Sequence, residues 1–219
     1  MLAFPRTLTV APEGSPHVRD VLKKDLGEDQ FRFVAENAAD YGVTRLKLYF
    51  ITGVPGETED DLKYIAELCN SLVRRYPFRQ GVAASVNPLV PKPHAPTELL
   101  AMAQPRMIKE NYECLRKLCR RGVGLSFQSI REAVIQAYLS LGDSRTGQVI
   151  LEASRSSPSL STWRRRAEAH GDPISRVHSE RIPGPWHLVD TGIPVPYIER
   201  QFRQMVGNAQ GHNTRPKKH

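Results

Sequence analysis

Hydrophobic and polar positions follow two periods along this chain, and the switch between them marks its elements. Thr7 to Ala11 reads as a short strand, and Val18 to Leu22 as a short helix. From Glu28 to Tyr41, Phe31, Val34, Ala35, Ala38 and Tyr41 fall at helical spacing, with Gly42 at the C-cap. Leu46 to Ile51 is apolar on both faces, which predicts a strand covered on both sides. Thr58 is a helix N-cap with Asp61 three residues on, and Leu62, Ile65, Leu68, Cys69, Leu72 and Val73 form the apolar stripe up to Tyr76-Pro77. Gly81 to Asn87 predicts a third strand, Pro105 to Arg121 a helix, and Val123 to Phe127 a fourth strand. Helical spacing then dominates: Arg131 to Leu141, Thr146 to Ala153, Ser161 to His170, and Pro194 to Met205. Gly142-Asp143 and Ser156-Ser157-Pro158 punctuate that region, and Gly207 to His219 has no apolar period and reads as disordered.

Strand and helix alternate up to Phe127, which predicts parallel strands joined by crossover helices. Thr7–Ala11, Leu46–Ile51 and Gly81–Asn87 should be adjacent and parallel, with helices Glu28–Tyr41 and Asp60–Tyr76 on one side. The expected architecture is α/β: a half-barrel of three to four parallel strands over residues 1–128, a helical C-terminal extension over 129–206, and a basic tail over 207–219. A chain that opens almost directly on a strand predicts further residues upstream. Pro88, Pro91, Pro93 and Pro96 suit neither a sheet interior nor a helix interior, so their segment reads as a stiff ordered loop.

A net charge of +8 and an isoelectric point near 9.6 favour polyanionic partners such as RNA. The excess in Arg164-Arg165-Arg166 and in Arg215, Lys217 and Lys218 reads first as a solvated helix face and a solubilising tail. Aromatic residues do not interleave with these clusters as a base-stacking platform requires. No apolar run is long enough to cross a membrane, and Met1 to Arg6 lacks the pattern of a signal peptide. Three cysteines, Cys69, Cys114 and Cys119, give no disulfide framework, so a cytoplasmic location is expected. His17, His94, His170, His178, His187 and His212 show no metal-ligand spacing. Lys92 and His94, in the proline loop, are weak candidates to face a substrate.

Three strand-end motifs carry the chemistry: Ala11-Pro12-Glu13-Gly14-Ser15, Ile51-Thr52-Gly53-Val54-Pro55-Gly56-Glu57-Thr58, and Val86-Asn87-Pro88-Leu89-Val90-Pro91-Lys92-Pro93. In this order they resemble the second half of a radical S-adenosylmethionine core, and more narrowly the cobalamin-binding members of that superfamily. Trp163-Arg164 and Trp186 to Gly192 resemble the same group. The resemblance implies a six-unit partial βα barrel of which this chain holds strands four to six. It implies that Glu13 and Ser15 lie near the ribose or methionyl group of S-adenosylmethionine. Ile51, Gly53 and Gly56 would pass beside the adenine, and Asn87 and Val90 would close its side. The second motif offers no phosphate loop: it lacks the lysine, and Glu57, Glu59, Asp60 and Asp61 crowd the helix start.

The departures set the limits. The C-x3-C-x2-C loop that holds the family's iron-sulfur cluster is absent. The cobalamin domain and the methionyl-binding strand are absent as well. The 4Fe-4S cluster and cobalamin therefore belong to the full-length family, with no metal or catalytic residue assigned here, and S-adenosylmethionine binding is expected to be weak or lost. The expected function is the S-adenosylmethionine-binding C-terminal portion of a radical enzyme, inactive alone, with an upstream half-barrel or cobalamin-domain chain as partner. The alternatives are a truncated non-catalytic product and a basic RNA-binding module.

Overall fold

The computed structural model describes residues 6–155, 159–179 and 185–213, and the chain forms two compact units. The turn Ser156-Ser157-Pro158, the tail residues Arg215, Lys217 and Lys218, the first five residues, and the side chains of His187 and His212 lie outside the described residues.

The first unit takes in residues 1–88, 105–128 and 205–219. Its strands are β1 (Thr7–Glu13), β2 (Arg45–Thr52), β3 (Val82–Pro88) and β4 (Val123–Phe127), in sheet order β1-β2-β3-β4. Every neighbouring pair is parallel, as the alternation of elements requires. The helices between and before them are α1 (Pro16–Val21), α2 (Glu28–Asp40), α3 (Glu59–Arg75) and α4 (Pro105–Leu118). α3 forms for local reasons: Asp61 Oδ2 accepts from the Thr58 N–H at 2.8 Å, acidic residues fill its first turn, and Arg74 and Arg75 its last. Its buried stripe is Leu62, Ile65, Ala66, Cys69 and Leu72, and it packs on α4 and on the sheet.

One sheet face is dry. Leu46, Leu48, Phe50 and Thr52 of β2 are 0% exposed, beside Val82, Ala84 and Val86 of β3. The expectation that β2 is covered on both sides is met only in part on the other face. There Lys47, Tyr49, Ile51, Ser85 and Asn87 are half-buried, and Thr9 and Ser126 are exposed. Apart from Tyr49 and Ile51 these residues are polar, and the face offers less apolar area than the dry face does.

Among the boundaries that move from their expected places, three are informative. β1 runs on to Glu13, because its register on β2 slips between Val10 and Glu13. α4 stops at Leu118, where Asn70 takes over the chain: its Nδ2 donates to Leu118 O at 3.1 Å, and its Oδ1 accepts from Arg120 N at 2.8 Å. The last helix, α8 (Val195–Asn213), continues through residues expected to be disordered. Met205 and Ala209, four apart, are buried, and a stripe that short leaves no period in the sequence.

The second unit takes in residues 89–104 and 129–204. It contains α5 (Ile130–Ser140), α6 (Ser144–Ser154) and α7 (Leu160–Ala169). At its centre Asp172, 1% exposed, accepts from Tyr138 Oη at 2.8 Å and Thr146 Oγ1 at 3.0 Å, and pairs with Arg176 Nε at 2.5 Å. The proline segment is ordered: Lys92 Nζ donates to Ser140 Oγ at 2.9 Å, and Met102 N to Val177 O at 2.8 Å. His94 N donates to Glu98 Oε2 at 2.7 Å.

Candidate functional site

The loops after β1 and β2 leave the same sheet edge, because Glu13 pairs with Phe50 and Thr52 with Pro88 across parallel strands. In open α/β sheets this C-terminal edge is where ligands meet backbone.

The turn after β2 is organised by one carboxylate. Gly53 has φ +78°, a conformation glycine adopts without strain, and its N–H donates to Glu57 Oε2 at 2.6 Å. Thr52 Oγ1 donates to the same oxygen at 2.9 Å, and Asn111 Nδ2, from α4, does so at 2.9 Å. Asn111 Nδ2 also lies 2.9 Å from Thr52 Oγ1. The second oxygen, Oε1, is buried and has no hydrogen-bond partner among the described residues. Burial pushes the Glu57 carboxyl up to about 7, against the opposing pull of the Gly53 and Thr52 hydrogen bonds, and the Asp61 charge adds to the rise. Three donors already occupy Oε2, so a proton taken up by Glu57 sits on Oε1. Near neutrality this turn therefore offers either a bare acceptor or an O–H donor at one buried position.

A second carboxylate ties β1 to α3. Asp61 accepts from Thr58 N and Thr58 Oγ1 through Oδ2, both at 2.8 Å, and from Ser15 Oγ through Oδ1. Ser15 also caps α1, accepting from Val18 N at 3.1 Å. Glu13 has φ +63° and pairs with Lys24 Nζ at 3.4 Å. Arg19 donates to Gly14 O at 2.7 Å.

The candidate residues thus divide by what surrounds them. Ile51 and Asn87 are register partners on the half-buried sheet face, next to the Gly53 turn. Glu13 and Ser15 lie on the same edge, with their side chains engaged by Lys24 and Asp61. Gly56, at φ +77°, is closed off: a Cβ there would lie 2.6 Å from Ala209 O and 3.0 Å from Ala209 Cα. That glycine serves the approach of α8, and His17 Nε2 donates to its carbonyl at 3.2 Å. Val90 is half-buried and belongs to the second unit. Asn111 has no signature in the sequence, because an amide on an amphipathic helix gives no signal of its own. In the sequence Glu57 is one of several acidic residues at a helix start, although its place four residues after Gly53 is the spacing that lets it turn back.

The cysteines do not fit an iron-sulfur cluster. Cys69 is buried in α3, its thiol pushed well above the ordinary range by burial, with the neighbouring Cys119 adding to the rise. Burial pushes Cys119 up to about 11 and raises Cys114 as well, whereas cluster ligation needs thiolates converging from a loop. Among the described residues no three His, Cys, Asp or Glu side chains are grouped to hold a metal ion. None of their helices is long and apolar enough to cross a membrane.

No family model matches this chain, and no solved structure matches it. An uncharacterised protein of Methanocaldococcus jannaschii is similar to it, 31% identical over 159 residues, which are 71% of this chain and 34% of that protein. The chain spans about a third of the length of the curated relative it matches.

Proposed function

We propose that the first unit is part of a radical S-adenosylmethionine barrel, and that its C-terminal rim is the shelf on which the adenosyl group rests. The observation that carries this reading is the half-buried, mostly polar sheet face. Parallel sheets ordinarily bury both faces. Here one face carries Thr9, Lys47, Tyr49, Ile51, Ser85, Asn87 and Ser126, mostly polar and half-buried or exposed, as an inner barrel wall that meets a ligand would be. At its rim the Gly53 turn brings backbone close, and Glu57 Oε1 lacks a partner that a ligand's amine or ring nitrogen would supply. In this reading the four-strand parallel sheet would form an open half of such a barrel, with β1 at the edge on which a further strand would pair. The three cysteines do not suit a cluster, so radical chemistry would need ligands from elsewhere, and we assign this chain no catalytic residue. Three free thiols suit a cytoplasmic setting.

Saturation-transfer magnetic resonance with S-adenosylmethionine tests the shelf. Transfer to the adenine protons is expected with the parent chain and not with Gly53→Val. A branched residue is strained at φ +78°, so Asn87→Leu, near the end of β3 on the half-buried face, serves as the second variant. Equal transfer in the parent and both folded variants, or none in the parent at millimolar ligand, would mean the adenosyl group does not bind here.

A further inference from the structure

The edge of the first unit opposite this rim is basic for a reason the helices alone do not supply. Two windows carry the charge: Arg74-Arg75-Tyr76-Pro77-Phe78-Arg79 at the end of α3, and Arg116-Lys117-Leu118-Cys119-Arg120-Arg121 at the end of α4. Together they hold Arg74, Arg75, Arg79, Arg116, Lys117, Arg120 and Arg121, all exposed, and no acidic residue.

The fold brings the windows together. Asn70, 8% exposed, clamps the second to α3 through its bonds to Leu118 O and Arg120 N. A Cβ on Gly122 would lie 2.9 Å from Val73 Cγ1, and one on Gly81 3.1 Å from Gly122 O, so the turn after α4 sits directly on the end of α3. Between α2 and α3 a groove of about 470 Å³ opens onto this turn, lined by Arg32, Arg74 and Arg120 together with Tyr64 and Ser71. Glu28, bound to Arg32 at 2.5 Å, and the exposed Glu67 also line it.

A helix C-terminus carries about half a negative charge and accounts for one or two nearby cations. Two such ends do not account for seven. Among the described residues none of the seven has a carboxylate within ion-pair distance. Like charges held together without counter-charges repel and cost stability, and a polyanion relieves that cost. Six of the seven are arginines, whose planar forks match phosphate oxygens in a bidentate way. Arg116 is the exception in orientation: its guanidinium lies 4.5 Å from the centre of the Phe127 ring, at the other end of β4, and so turns away from this edge.

We propose that this edge binds the sugar–phosphate backbone of a single-stranded RNA, with Arg74 and Arg120 at the mouth of the groove as its central contacts. Backbone contact of this kind is independent of base sequence and falls steeply with salt. The site lies at the strand edge away from the Gly53 turn and does not depend on S-adenosylmethionine binding.

Fluorescence anisotropy of the full chain with a labelled oligouridylate, titrated between about 50 and 200 mM salt, tests the proposal. Each phosphate contact on a single strand contributes about −0.7 to the slope of log K against log salt. Arg74→Glu with Arg120→Glu is expected to weaken binding by about tenfold or more and to flatten that slope by about 1.4. Both residues are exposed, and circular dichroism checks that the fold is kept. Arg164→Glu with Arg165→Glu, on α7, is expected to leave affinity and slope unchanged. The proposal is overturned by equal affinity of parent and Arg74/Arg120 variant, by no binding at the lowest salt, or by polyglutamate competing as well as unlabelled RNA. The last outcome would mark the edge as a site for an acidic protein.

Discussion

Asn111 on α4 reaches Glu57, 54 residues earlier, and donates from Nδ2 to its Oε2 at 2.9 Å. The same amide lies 2.9 Å from Thr52 Oγ1, so one side chain joins the end of β2, the turn that follows it and the helix that packs on α3. The Gly53 turn is therefore held from the neighbouring helix as well as by its own sequence.

Replacing Asn111 by Leu should loosen this turn. The variant removes one donor from Glu57 Oε2, and with it the contact to Thr52. Hydrogen bonds to a charged or partly charged group are worth about 1.5–3 kcal/mol, so a loss toward the lower figure is expected in urea unfolding followed by circular dichroism. An unchanged unfolding midpoint would show that Asn111 holds nothing here.

Stability should depend on pH through Glu57. Its carboxyl stands at about 7 in the folded chain against an ordinary value of 4.5, so the folded state holds a proton that the unfolded state has released. The contribution is complete below 4.5 and is lost as pH rises through about 7. The slope is at most about 1.4 kcal/mol per pH unit. Glu57→Gln places a neutral amide in the same position and should flatten the profile over this window. Parallel profiles for parent and variant would locate the titration elsewhere.

Substituting Gly56 by Ala should release the end of α8. The new methyl would meet the Ala209 backbone at 2.6 Å, and φ +77° adds strain of about 1–3 kcal/mol. Hydrogen exchange read by mass spectrometry should show faster exchange from Met205 to Ala209, with β3 protected as before. Unaltered protection of α8 would mean that its packing does not depend on this glycine.

Asp172→Ala should be the most damaging single change in the second unit. It leaves Arg176 without its carboxylate and Tyr138 and Thr146 without their acceptor, and breaking a buried pair costs about 3–5 kcal/mol. Trp163 and Trp186, the chain's two tryptophans, both lie in this unit, so the loss should appear in tryptophan fluorescence during urea unfolding. A midpoint equal to the parent's would remove Asp172 from the account of this core.

Much of the first unit is legible along the chain, because its signals are local. The alternation of strand and helix settles parallel pairing in sequence order, since a crossover returns each strand to the same end. Thr58 with Asp61 marks the start of α3, and Val123–Phe127 reads as a strand with the bounds the structure shows. Glycine in a strand-to-helix turn marks Gly53 as a close-approach point. What the sequence could not carry are relations between distant residues. Gly56 reads as a ligand glycine until Ala209 is found against it, and the two are joined only by packing. Asn111, Glu57 and Thr52 form one network only because α4 lies on α3. Arg74 and Arg120 are ordinary helix-end cations in the sequence, and Asn70 makes them neighbours. Composition determined that this chain is basic. The parallel packing of two helices decided where that charge collects, because helices that run alongside each other bring their last turns to one edge.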